Sequence, residues 1–318
     1  MCLEYVTFER LPSSMIHCSG YRSSVIRLHK HRLLLLVCVV LSCRIVVLAN
    51  TPIVQPDLTM KTKIAPAYFG PNAFQVPDML DGKTSSRASI TMAADYFSGT
   101  LTRPGGDVTT GMSLKCVIPL FSPRANLVVW MPAFEYYHVN EEVNDIRRVS
   151  CEGILKGWDS GDVYISTDVQ LFTQQLHGAD AVIRAALKTA SGNTYAKARY
   201  YDAPGYFFDV AIGRELTMYH NSRVRIAASG GFLCWQTDVG RQNDAVMYGV
   251  QAAWNYRKLY MKATWNGYAG WEKDGDRPMV VKAQFSYKLR SMSIDAYYKM
   301  GLMDWPFRQL SLGATYDF

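Results

Sequence analysis

From residue 88 to the end of the chain one pattern recurs, and few folds can satisfy it. Segments of about ten to fourteen residues alternate apolar side chains with polar or small ones, and a period of two sends successive side chains to opposite faces of a strand. In residues 279–289, Met279, Val281, Ala283, Phe285, Tyr287 and Leu289 share one parity, while Lys282, Gln284, Ser286 and Lys288 share the other. After Arg290-Ser291 the apolar parity becomes even, with Met292, Ile294, Ala296 and Tyr298. A two-residue hairpin needs that switch to keep its apolar residues on one side of the sheet. Likewise Val163, Ile165, Thr167, Val169 and Leu171 oppose Asp162, Tyr164, Ser166, Asp168 and Gln170. Val246, Tyr248, Val250, Ala252, Trp254 and Tyr256 oppose Met247, Gly249, Gln251, Ala253 and Asn255.

The pattern predicts twelve strands, near residues 88–100, 109–120, 127–139, 162–175, 180–190, 206–217, 222–236, 244–256, 258–270, 278–289, 292–300 and 308–318. Tight turns at 121–126, 176–179, 218–221, 257 and 290–291 alternate with polar loops at 101–108, 140–161, 191–205, 237–243, 271–277 and 301–307. Soluble strands cluster around five or six residues, whereas tilted strands of about nine to eleven span a bilayer. Long strands, an even count and connections sorted by end predict an all-β, transmembrane, antiparallel up-and-down barrel, with short periplasmic turns and longer extracellular loops. A soluble β-sandwich could supply the alternation but has no reason to sort its loops. Two places fit less well: Pro132 inside the third strand calls for a bulge or an early end, and Arg214 on the lipid face must snorkel.

Average composition hides this. A mean hydropathy of -0.06 resembles that of a soluble protein, because an apolar outer face and a polar inner face cancel. Twenty Tyr, seven Trp and 13 Phe are a heavy aromatic load. Many lie near strand ends, as interfacial girdles do: Tyr206, Phe208, Tyr268, Trp271 and Tyr298 at the outer end, Trp254, Tyr256, Phe285, Tyr287, Tyr316 and Phe318 at the periplasmic end. Only residues 33–49 approach the roughly 20 apolar residues of a spanning helix, which excludes a polytopic helical membrane protein. Disorder and a strongly basic nucleic-acid binder are excluded as well.

Residues 1–49 read as a secretory signal peptide. Arg22, Arg27, Lys30 and Arg32 precede the apolar run, which closes at Val47-Leu48-Ala49. Met15 is an alternative start. Lipidation at Cys43 and an uncleaved anchor carrying Arg44 are the rival readings. The segment holds six of the 34 Lys and Arg and two of the 27 Asp and Glu, so the formal charge of +7 falls to about +3 after cleavage. Cys116, Cys151 and Cys234 remain, an odd number without a disulfide framework.

The last ten residues, Gln309-Leu310-Ser311-Leu312-Gly313-Ala314-Thr315-Tyr316-Asp317-Phe318, end in Phe with apolar or aromatic residues at alternate positions before it. This strand resembles the C-terminal strand of Gram-negative outer-membrane β-barrel proteins. The resemblance implies an outer-membrane location, outer-membrane lipids as surroundings, and insertion by the barrel-assembly machinery with Leu312, Tyr316 and Phe318 as the signal. It points to a class of proteins and to no particular activity.

Function should lie on the inward face. Its charged candidates are Lys115, Glu135, Asp168, Arg184, Lys188, Asp209, Glu215, Arg223, Arg225, Lys262, Lys282, Asp295 and Lys299. The turn at 218–221 sets Glu215 opposite Arg223 or Arg225, and Lys188 is expected near Asp209. Two readings compete: interlocked charges that fill a narrow lumen, or a lumen that binds or passes a small polar solute, anions included. Twelve strands lie between the filled eight-stranded barrel and the open sixteen-stranded one, so an inserted segment could close the bore. Residues 50–87, rich in Pro and carrying Tyr68, Phe69 and Phe74, are one candidate plug. The loop 140–161 is another. Arg199, Tyr200, Tyr201 and Asp202 in the loop 191–205 suggest either a stacking surface for a sugar or other flat ligand, or a cap on the lumen. An outer-membrane lipid or glycan hydrolase would need a base, and His138 near Ser160 and Asp162 is its candidate; a structural or adhesive barrel is the third alternative. The sequence holds no metal cluster, phosphate loop or nucleotide fingerprint, so no cofactor is expected.

Overall fold

The structure, a computed structural model, describes residues 66–99, 105–147, 155–192, 198–201, 203–218, 222–238, 241–273 and 275–318. The export segment expected at 1–49, residues 50–65, Cys151, Asp202 and His220 lie outside the described residues. The strands in chain order are β1 (Ser89–Gly99), β2 (Asp107–Pro119), β3 (Ala125–Val139), β4 (Lys156–Asp159), β5 (Tyr164–Phe172), β6 (Asp180–Lys188), β7 (Gly205–Thr217), β8 (Ser222–Asp238), β9 (Arg241–Tyr256), β10 (Leu259–Gly270), β11 (Met279–Leu289), β12 (Met292–Met303) and β13 (Phe307–Asp317). Neighbours pair antiparallel in one sheet, which closes through β1–β13, β1–β2 and β2–β3. Twelve strands make the wall. The extra one, β4, covers only Glu135–His138 of β3, above the point where β5 stops at Trp130.

Pro132 explains that exchange of neighbours. Without an N–H it cannot sustain the ladder. The register to β2 slips there, with Ser113 facing Pro132 but Met112 facing Phe134, and the Pro132 carbonyl accepts from Gly161 N at 2.9 Å. At the other end of the barrel the hairpins are tight because Arg257 and Arg290 adopt left-handed backbone angles (φ 55° and 46°), the conformation that two-residue turns matching the strand twist require.

Burial follows the inverse of the soluble rule. On β13, Leu312 is 60% exposed and its neighbour Ser311 only 1%. Ile165, Ile183, Ile212, Val250 and Leu310 point outward, while Asp95, Asp168, Asp209, Gln251 and Gln309 are buried. A wall apolar outside and polar inside stabilises itself only against lipid.

The polar face does not enclose an empty bore. Residues 66–87 form a strap that enters at the outer end and descends through the lumen to β1. It begins with a single 3-10 turn, Pro66–Tyr68. Trp305 Nε1 then donates to the Pro71 carbonyl at 3.1 Å, and Asn266 Nδ2 to the Pro77 carbonyl at 2.8 Å. Arg225 and Gln170 hold the carbonyls of Asp81 and Gly82 lower down, and Asn126 exchanges hydrogen bonds with the backbone of Ser85. A chain so rich in Pro cannot join the sheet, so wall side chains satisfy its backbone one group at a time. Gly82, at φ +85°, passes so near β7 that a Cβ would stand 2.8 Å from Gly213 N.

Around the strap's upper half lies the largest apolar cluster. Phe69 and Phe74 pack with Tyr201, Phe207, Trp235, Tyr268, Trp305 and Phe307. Burying each strap phenylalanine stabilises the seated strap by about 1.5–3 kcal/mol. The aromatic load therefore divides between two roles. Trp254, Tyr298, Tyr316 and Phe318 face outward as expected, but Tyr268, expected in the outer girdle, is buried in the lumen with its hydroxyl 3.3 Å from the Phe74 carbonyl. Its parity on β10, shared with Asn266, points it inward.

Candidate functional site

Two compartments lie one above the other in the lumen. The upper is closed by ion pairs. Arg199, carried in by the loop after β6, sends Nε to Glu135 at 2.7 Å, Nη1 to Asp107 at 2.8 Å and Nη2 to Thr109 at 2.8 Å. Its guanidinium also lies 4.7 Å from the Tyr137 ring centroid. Arg147, at the end of the short helix Glu141–Arg147, pairs with Asp107 and donates to the Tyr68 carbonyl at 2.6 Å. Asn72 of the strap and Tyr200 both donate to Glu135 Oε2, at 2.7 and 2.9 Å. Burial, with the Glu135 carboxylate beside it, pushes the Tyr200 phenol well above its ordinary range. Two guanidinium groups thus meet two carboxylates out of water, with further donors on both acids. In that geometry a buried ionic group is tolerated, and removing one member is costly.

The lower compartment is a cavity of about 330 Å³ between the strap and the walls of β1 to β3, β5 to β7 and β10 to β13. Lys115, Lys262, Lys282 and Lys299 line it, with Trp130, Gln284 and Tyr297. Asp78, on the strap, faces them: Lys282 Nζ lies 3.0 and 3.2 Å from its two carboxylate oxygens. The ammonium groups of Lys282, Lys115, Lys299 and Lys262 hold the Asp78 carboxyl below the ordinary carboxylate range. The wall carboxylates of the cavity are engaged elsewhere. Asp95 accepts from Tyr297, Gln309 and Ser311, Asp168 from Ser166, and Asp295 from Thr315. Among the described residues no carboxylate lies within salt-bridge distance of Lys115 or Lys262.

The charged residues named from sequence parity do line the lumen, though several partners differ. Arg184, not Lys188, holds Asp209, through Nε at 2.7 Å and Nη2 at 2.9 Å. The β6–β7 register sets Arg184 opposite Asp209 and Lys188 opposite Gly205, so Lys188 reaches Asp162 at 2.6 Å instead. Glu215 stands opposite Arg225 in register, yet its carboxylate lies 3.5 Å from Arg223, while Arg225 turns to Asp180 at 2.8 Å and to the strap. The loop residues Arg199, Tyr200 and Tyr201 are buried and offer no stacking surface outside, which leaves the capping role; Asp202 lies outside the described residues. His138 is exposed opposite Lys156, and Asp162, near it in the sequence, is buried against Lys188. Leu312, Tyr316 and Phe318 are exposed on the outer face of β13.

Asp78, Asp107, Asp180 and Asn72 were not singled out by the sequence. Asp107 and Asp180 sit at strand ends, where parity is weakest. Asp78 carried one signal: a single acid, Val76-Pro77-Asp78, inside an apolar Pro-rich run.

No family model matches the chain, and neither does any curated protein. Solved structures do match. An outer-membrane channel from Pseudomonas putida F1 superposes with a TM-score of 0.51 at 8% identity, over 76% of this chain and 100% of that one. The NanC porin gives 0.46 at 10% identity over 72% and 100%, and the KdgM porin in complex with disordered oligogalacturonate 0.40 at 10% over 71% and 99%. The first of these carries the likeness, at the level of fold. The chain folds as a closed twelve-stranded β-barrel similar to an outer-membrane channel, of the kind found in the outer membrane of Gram-negative bacteria.

Proposed function

We propose that the barrel binds, and on displacement of its strap passes, a small polar anionic solute. The observation that carries this reading is the lower cavity, where four lysines surround one strap carboxylate and the wall acids are held by hydroxyl and amide groups. Cationic side chains lining a narrow water-filled bore favour anions, and a cavity of this size lies at the small end of ligand sites, roughly 300–1,000 Å³. Residues 1–49 are then an export segment removed before folding, and the outward Leu312, Tyr316 and Phe318 are the mark read by the barrel-assembly machinery. Planar bilayers test the function. The mature protein in a KCl gradient should show discrete conductance with a reversal potential biased toward chloride. Cation bias, or no conductance even after residues 50–87 are removed, overturns it. The buried ion pairs at the outer end favour a second reading, a closed structural barrel, and silence in both recordings would select it.

A further inference from the structure

The lower cavity already holds an anion, and it belongs to the chain. The Asp78 carboxylate lies 3.0 Å from Lys282 Nζ, and its own carbonyl accepts from Arg184 Nη2 at 2.9 Å, a guanidinium fixed in turn by Asp209. Backbone and side chain are thus anchored on opposite walls. The carboxylate itself stays open to the cavity, with 61% of its side chain exposed. Facing it are Lys115, Lys262 and Lys299, the last with its ammonium 4.6 Å from the Trp305 ring centroid. Asp95, Asp168 and Asp295 also line the cavity but are held by hydroxyl and amide donors, which leaves Lys115, Lys262 and Lys299 with no carboxylate at salt-bridge distance among the described residues.

We propose that Asp78 is a tethered counter-ion occupying a binding site for a small multivalent anion, bearing two or three carboxylates or a phosphate, and that such a ligand competes with it. This rests on the anionic reading above and extends it: the strap is held partly by the contact the ligand replaces, so occupancy of the lysine site and seating of the strap oppose each other. Asp78 stays ionised far below neutral pH, so protonation does not empty the site and only a competing anion does. A monovalent anion gains little over Asp78, because it brings the same charge and loses translational freedom on binding. A multivalent one can meet Lys282 and one or more of Lys115, Lys262 and Lys299 at the same time.

The test is calorimetric titration of the refolded mature protein with citrate, acetate and glucose, with folding checked by the heat-dependent gel shift. Citrate should bind in preference to acetate, with no heat from glucose. Asp78→Asn should raise citrate affinity on the order of tenfold, since one opposing charge leaves the site. Lys115→Gln with Lys262→Gln, neither of which lies within hydrogen-bond distance of Asp78, should lower it by a similar factor. Unchanged or weaker citrate binding by a folded Asp78→Asn protein overturns the counter-ion while leaving an anion-selective conductance intact. Absence of citrate binding in every variant, together with a cation-selective or silent barrel, overturns the functional reading beneath it.

Discussion

The upper and lower halves of the lumen are built from the same alternating strands, yet they solve the problem of inward charge in opposite ways. Above, Arg199 and Arg147 meet Asp107 and Glu135 one for one, and Phe69, Tyr268 and Trp305 close the gaps around them. Below, four lysines line an open cavity in which only Lys282 meets a carboxylate, Asp78, at salt-bridge distance among the described residues. The difference does not come from the wall, whose inward positions carry charge at both levels. It comes from what enters the bore: two loops and an aromatic stretch of strap above, and only the thin Pro77–Leu80 stretch below. A barrel of intermediate width is thus closed where loops supply partners and stays wet where they do not.

Breaking the upper half should have the larger effect. Arg199→Met strips Asp107 and Glu135 of their shared guanidinium, and a broken buried pair costs about 3–5 kcal/mol. Denaturant unfolding in lipid vesicles should show this loss together with a rise in leak conductance. A loss under about 1 kcal/mol would mean that the outer end is hydrated and the contrast false. In the lower half the effect should fall on selectivity instead. Lys115→Gln with Lys262→Gln should reduce the chloride bias of the conductance several-fold and alter stability by less than about 1 kcal/mol, because neither lysine completes a buried pair. Changing pH should do less still. Asp78 has a folded pKa below its unfolded value near 4, so its contribution is present above that value and lost only as pH falls through the depressed one. Conductance should therefore stay level from about pH 7 to pH 5; opening inside that window would show that some other group holds the strap. Smallest of all, His138→Ala should shift stability by no more than about 0.5 kcal/mol and leave any lipid hydrolysis by the purified protein unchanged.

The wall was legible because lipid outside and polar groups inside force a two-residue period, which survives in Met279–Leu289 and Phe307–Asp317 without any alignment. Parity also told inward from outward for Asp209, Arg184 and Lys282. Pairing was harder. Parity puts Lys188 and Asp209 on one face without fixing their register, and the short helix Gln174–His177 stands where a tight turn between β5 and β6 is expected. For Tyr268, nearness to a strand end points to the girdle while its parity points inward. What enters the bore was the least readable part. The strap has no period, since Pro breaks both helix and strand, and its partners include Asn126, 41 residues from Ser85, and Trp305, 234 residues from Pro71. Only its unexplained Phe69 and Phe74 hinted that it was no plain tail. Near His138 the same limit holds for Asp162, which looks available in the sequence and is committed to Lys188 in space.

Cysteine accessibility tests the two-compartment lumen most directly. With Cys116, Cys151 and Cys234 replaced by Ser, single cysteines at Ser113 and Gln284 report the lower half, and at Ala203 and Ala245 the upper. In proteoliposomes the lower pair should react readily with a small thiol reagent, and several-fold faster with an anionic reagent than with a cationic one of equal size, while the upper pair stays protected until residues 50–87 are deleted. Equal rates at the two levels, or a preference for the cationic reagent below, would contradict a sealed upper half above a basic, hydrated lower one.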